Sequence, residues 1–138
     1  MSLRWGIAAA LLLTAGAFLA CEPVDMGTGT TSENDYTLTL RVVDQAIHVG
    51  DETTLILGLR RTDYSNLPNG MQGKVVLTTS MHGSVEMPSV SVEVDDDITQ
   101  EFVITMVFIA SSPGVAEVRA TFLDATVQVK VLISSVST

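Results

Sequence analysis

The chain is poor in the residues from which most active sites are built. Its 138 residues include one cysteine, two histidines, one tryptophan and four prolines, and seven Lys and Arg stand against sixteen Asp and Glu. A lone thiol excludes an internal disulfide. His48 and His82 do not form a pair at metal-ligand spacing. So few cations in so acidic a chain argue against nucleic acid and against electrostatic docking on anionic lipid. Aromatic residues make up 5%, and the single tryptophan, Trp5, lies in the N-terminal stretch. That leaves Tyr36, Tyr64 and three phenylalanines beyond residue 21, too few for an aromatic-lined sugar site. There is no phosphate loop, no GxGxxG, no G-x-S-x-G elbow and no D-x-[DN]-x-[DN]-G calcium loop. No cofactor is expected. No helical period and no internal repeat is found after residue 21.

What the chain has is period-two apolar alternation, clearest over residues 101–133. Phe102, Ile104, Met106 and Phe108 share one face of a strand, and Val103, Val107 and Ile109 fill the other. A strand apolar on both faces either sees little solvent or meets something on its outer side. Ser111-Ser112-Pro113-Gly114 then turns the chain. Ala116, Val118, Ala120 and Phe122 alternate with outward Glu117, Arg119 and Thr121. After a second turn at Leu123-Asp124-Ala125, Val127, Val129, Val131 and Ile133 alternate again. The abundance of β-branched residues disfavours helix, and two successive hairpins make an antiparallel meander.

Residues 1–20 read as a signal peptide. Arg4 supplies the positive start, and Trp5 to Ala20 is apolar but shorter than the roughly 20 residues a spanning helix needs. Cys21 follows at once. Phe18-Leu19-Ala20-Cys21 resembles the lipobox of bacterial lipoproteins, with Phe18 in place of the usual leucine. The resemblance implies lipidation of Cys21 and a membrane anchor. An ordinary signal peptide with an incidental thiol is the alternative. Glu22 stands where the inner-membrane retention signal of such lipoproteins has aspartate, so the resemblance implies outer-membrane sorting. All sixteen acidic and six of the seven basic residues lie beyond Cys21, a side-chain balance of −10, which reads as solubility. Residues 21–35, the lipidated cysteine and a Gly- and Thr-rich segment, are expected to form a flexible tether.

Residues 36–134 are expected to be one domain, followed by a short tail, 135–138. Leu38, Leu40 and Val42 mark a first strand, with a short extended piece at Ile47 and Val49. Leu55, Leu57 and Leu59 mark a second long strand, and Val75 and Leu77 a third. Val85 begins a short bridge, Pro88 bends the chain, and Val90, Val92 and Val94 form a fourth. With the three strands of residues 101–133, these give about seven strands or more. The prediction is an all-β, antiparallel β-sandwich.

Several segments resemble bacterial immunoglobulin-like domains of the invasin and intimin type. They are His48-Val49-Gly50-Asp51-Glu52-Thr53-Thr54-Leu55, Gly73-Lys74-Val75-Val76-Leu77-Thr78-Thr79-Ser80, Gly83-Ser84-Val85, and Pro113-Gly114-Val115-Ala116-Glu117-Val118-Arg119-Ala120-Thr121. The resemblance implies an Ig-like fold, a role in adhesion, spacing or display at a bacterial surface, and no catalytic residues. Members often occur in tandem, whereas this chain carries one module. The antibody-type buried tryptophan and disulfide have no counterparts here.

Three groups of residues are candidate sites. The loop 63–73 holds Tyr64, Leu67, Pro68 and Met71 in an otherwise polar connection, and such loops often carry recognition. The alternative is that Leu67 and Met71 cap the core. Ile56 and Val76 point outward and form a possible apolar patch. Asp95, Asp96 and Asp97 offer hard oxygen ligands for calcium, with Asp44 or Asp51 to complete a site, but a solvated turn that discourages edge pairing is the simpler reading. Ser80, His82 and Ser84 alternate and are weighed as a hydrolytic set, without an elbow or an oxyanion arrangement to support them. The functional expectation is a non-enzymatic envelope lipoprotein whose module binds another envelope or surface protein. A carbohydrate- or calcium-dependent binding module is the alternative.

Overall fold

The computed structural model describes residues 25–31 and 35–136. Among them run ten strands and no helix: β1 Asp25–Thr30, β2 Tyr36–Val42, β3 Ala46–His48, β4 Glu52–Arg61, β5 Gln72–Thr79, β6 Gly83–Val85, β7 Ser89–Glu93, β8 Glu101–Ala110, β9 Gly114–Phe122 and β10 Ala125–Ser134. They make two five-stranded sheets, ordered β1-β2-β4-β8-β6 and β3-β10-β9-β5-β7. Pairing is antiparallel throughout except for β3, which runs parallel to the end of β10.

Alternation decides which side chains face the space between the sheets. Leu38, Leu40 and Val42 of β2, Leu55, Leu57 and Leu59 of β4, and Met106 and Phe108 of β8 are buried from one sheet. Val75, Leu77, Val90, Val92, Ala116, Val118, Ala120, Val127, Val129 and Val131 are buried from the other. Burying a Val or Leu is worth about 1.5–3 kcal/mol each, so this shared core sets the register of every long strand. The inward faces expected from the sequence are the ones observed.

Two expectations are corrected. Asp25–Thr30 is not tether: it forms β1, paired with β2 from Asp25↔Val42 to Thr30↔Thr37. Its inward positions are Gly27 and Gly29. A Cβ at Gly27 would lie 2.4 Å from the Gln128 carbonyl oxygen, and one at Gly29 2.4 Å from that of Thr126. The glycines let β1 lie against the backbone of β10, so the ordered strands begin well before residue 36. Of the two readings of β8, low solvent exposure on both faces is the one that fails within this chain: Val103 is 52% and Ile109 40% exposed.

The register separates two ends. One carries the connections around residues 43–51 and 111–113 and the last residues of β10. The other, called here the loop end, gathers residues 62–71, 95–100 and 123–124. Asp51 sits against Ala110, whose N–H donates to the Asp51 carbonyl at 3.0 Å, while Asp95, Asp96 and Asp97 precede the far end of β8.

Candidate functional site

The loop end is built by two connections laced together. Leu67 N–H donates to the Thr99 carbonyl at 2.7 Å, and Asn66 Nδ2 donates to the Asp97 carbonyl at 2.6 Å. Gly70, at φ +87°, donates its N–H to the Val94 carbonyl at 2.7 Å. Asp63 Oδ1 accepts from Ser65 Oγ at 2.6 Å and from Ser65 N–H at 3.0 Å. These bonds to the Ser65 hydroxyl and amide, helped by Arg61, hold the Asp63 carboxyl below the ordinary aspartate range.

The four loop residues singled out from the sequence take three different places. Leu67 is 1% exposed and belongs to the core. Tyr64 is 66% exposed, has φ +64°, and lies under the Arg60 guanidinium, 4.1 Å from carbon to ring centroid. Pro68 and Met71 line a cleft of about 530 Å³, together with Tyr36, Arg61, Lys74 and Phe122.

This cleft lies at the loop end. Its floor is aromatic: Tyr36 and Phe122 meet edge to face with centroids 5.6 Å apart. Gly73 makes room for that floor, since a Cβ there would press on Phe122 Cε1 at 2.9 Å. Arg61 and Lys74 add two cations, and no carboxylate is among the described residues lining the cleft. Arg61 Nε is buried without a hydrogen-bond acceptor among the described residues; the Asp63 carboxylate stands 4.0 Å away. Such a wall suits an acidic group whose apolar body rests on Phe122 and Met71. Serine, cysteine, histidine, aspartate and glutamate are missing from the described lining residues. The sequence signals were the lone Leu67 and Met71 in a polar loop; Arg61, Lys74 and Phe122 come from separate strands and carried no signal.

In the acidic run, the Asp96 carboxylate is engaged by its own turn. Asp96 Oδ1 accepts from Thr99 Oγ1 at 2.7 Å and from the N–H groups of Ile98 and Thr99, both at 3.0 Å. The Thr99 hydroxyl bond, then the Ile98 amide, lower its pKa. Asp44 and Asp51 lie at the opposite end, about 33 Å away along ten residues of β8. Among the described residues, no group of three or more His, Cys, Asp or Glu is placed to hold a metal.

Ser80, His82 and Ser84 do not share a strand, because the chain turns between β5 and β6. Ser80 Oγ accepts from Glu117 N–H at 3.0 Å, and His82 Nδ1 pairs with Ser112 Oγ at 3.0 Å. His48 closes its own turn with Asp51, the ring nitrogen 3.6 Å from the carboxylate. Val76 is exposed and Ile56 half-buried on opposite sheets, so they form no common patch.

Cys21, the signal-peptide reading of residues 1–20 and the tail beyond residue 136 lie outside the described residues. No helix among the described residues is long and apolar enough to cross a membrane. The sequence matches no protein-family model and no characterised protein.

Proposed function

We propose that the chain is a non-enzymatic, membrane-anchored lipoprotein of a bacterial envelope, held at the outer membrane through Cys21, whose single Ig-like module binds another envelope or surface protein. The observation that carries the binding role is the loop-end cleft, with two cations over an aromatic floor in an otherwise acidic chain. An acidic side chain or terminal carboxylate of the partner is the group it suits, since charge-assisted bonds to arginine are among the stronger ones.

Strand order supports the Ig-like assignment. With β2, β4, β8 and β6 taken as strands A, B, E and D, and β5, β9 and β10 as C, F and G, the sheets keep the A-B-E-D and C-F-G orders of the immunoglobulin fold. β1, β3 and β7 are then additions. Only Glu22, Pro23 and Val24 separate Cys21 from β1, a reach of at most about 14 Å between the Cα atoms. An acylated Cys21 therefore keeps the module close to the bilayer and makes a long-stalk role unfavourable.

The test is site-specific photo-crosslinking in intact membranes from Asn69, on the cleft rim, and from Ser111, at the opposite end. A discrete adduct from Asn69, absent from Ser111 and lost with Lys74→Glu, is expected. Equal labelling from both positions, or an adduct indifferent to Lys74→Glu, rules out the cleft as the binding site. Cys21→Ser is expected to move the protein from the detergent phase to the aqueous phase in a partition assay; an unchanged partition rules out the anchor.

A further inference from the structure

We propose that the free edge of β8 pairs with the same edge of a second copy of this chain. Along its whole length β8 is bonded to β4 on one side. On the other it has a strand only at its end, where β6 covers residues 108–110. Just before that, Glu86 stands in for a strand: its N–H donates to the Val107 carbonyl at 2.9 Å, and its Oε1 accepts from Val107 N–H at 3.1 Å. By the two-residue period, the N–H and C=O of Val103 and Thr105 point to the same side as those of Val107. No strand lies there among the described residues.

Exposed edges are normally blunted by lysine, proline, a bulge or brevity. The other edges among the described residues are. β3 and β6 have three residues each, β7 is bounded by Pro88 and the acidic run, and β1 rests on β10 through its glycines. The open stretch of β8 has none of these devices. From Ile98 to Ala110 the one charge is Glu101. Its Oε2 would lie 2.9 Å from a Cβ on Gly58, so the carboxylate is folded across β4, away from the open edge.

The same residues are self-complementary. A two-fold axis through Val103 sets Glu101 opposite Thr105, Phe102 opposite Ile104 and Val103 opposite itself, in antiparallel register. Within residues 101–105 of this register no two carboxylates stand opposite each other, although each copy is strongly acidic. Phe102 and Ile104, which pack only partly against the core, gain apolar neighbours from the other copy, and the two sheets become one. In this register the two loop ends lie beside the axis, and the ends that carry the start of β1 lie outermost. The pairing depends neither on the cleft nor on acylation of Cys21.

The test uses the full chain in detergent with Cys21→Ser, so that no other thiol is present. Val103→Cys and Val115→Cys are compared under copper–phenanthroline and air. Both positions are 52% exposed, but only Val103 meets itself across the axis, at a Cα separation of about 4.5–5.5 Å that a disulfide accepts. Val103→Cys is expected to cross-link about tenfold faster or more, because paired thiols have a high effective concentration. In sedimentation, the parent is expected to double its mass with rising concentration and Val103→Lys to remain monomeric, melting as the parent does at concentrations where the parent is itself a monomer. Equal cross-linking at the two positions overturns the proposal. So does a parent that stays monomeric, or a dimer indifferent to Val103→Lys.

Discussion

At the scale of single residues, Asp96 shows how an acidic run becomes structure. One carboxylate oxygen receives three donors from Ile98 and Thr99 and so fixes the turn leading into β8. Its pKa is lowered in the folded chain, so the unfolded chain binds the proton more tightly. The stabilisation is therefore fully present above the ordinary aspartate pKa of about 3.9 and is lost as pH falls through the lower folded value. Asp96→Ala is expected to melt below the parent at pH 7, with the difference closing in the acid range below pH 4. Thermal melts at pH 7, 4 and 2 check this; a difference that persists undiminished at pH 2 contradicts it. Leu67 teaches the complementary lesson. A single leucine in a polar loop was legible as either recognition or core, and its burial decides for core. Neighbouring residues did not reveal this, because the space it fills is bounded by strands distant in sequence.

At the scale of elements, legibility followed the apolar signal. The long strands were readable because Leu, Val and Ala recur at every second position, and slipping any of them by one residue would expose the whole row. β1 was not readable, because its inward positions are Gly27 and Gly29, which have no side chain to announce a face. Their role is proximity: the strand touches β10 backbone to backbone. Gly27→Val is expected to lift β1 from β10, costing about 1–3 kcal/mol by overpacking, while β4, β8, β9 and β10 remain intact. Hydrogen exchange checks this. Residues 27–30 should lose protection while those of β9 keep it, and Thr28→Val, on the exposed face, should change neither. Retained protection at 27–30 would mean that the approach of β1 to β10 is not tight.

At the scale of the whole molecule, the all-β architecture was legible from the number and spacing of alternating segments. The cleft and the open edge were not, since both depend on which strands end up as neighbours. Whole-molecule charge allows a test of the calcium alternative. The chain's net charge of −9 repels itself, and any salt relieves part of that repulsion. Millimolar calcium and magnesium are thus expected to raise the melting temperature equally, by screening. A calcium-specific rise would demonstrate a site that no described cluster supplies.

The contact between β1 and β10 also sets an order of assembly. The first strand among the described residues rests on Thr126 to Gln128, in the last of the described strands. A chain emerging N-terminus first can form the hairpin of β1 with β2, but that hairpin has nothing to lie on until β10 arrives. Docking of β1 is therefore deferred until β10 has been delivered, and a polypeptide stopped at residue 124 would leave β1 without a floor.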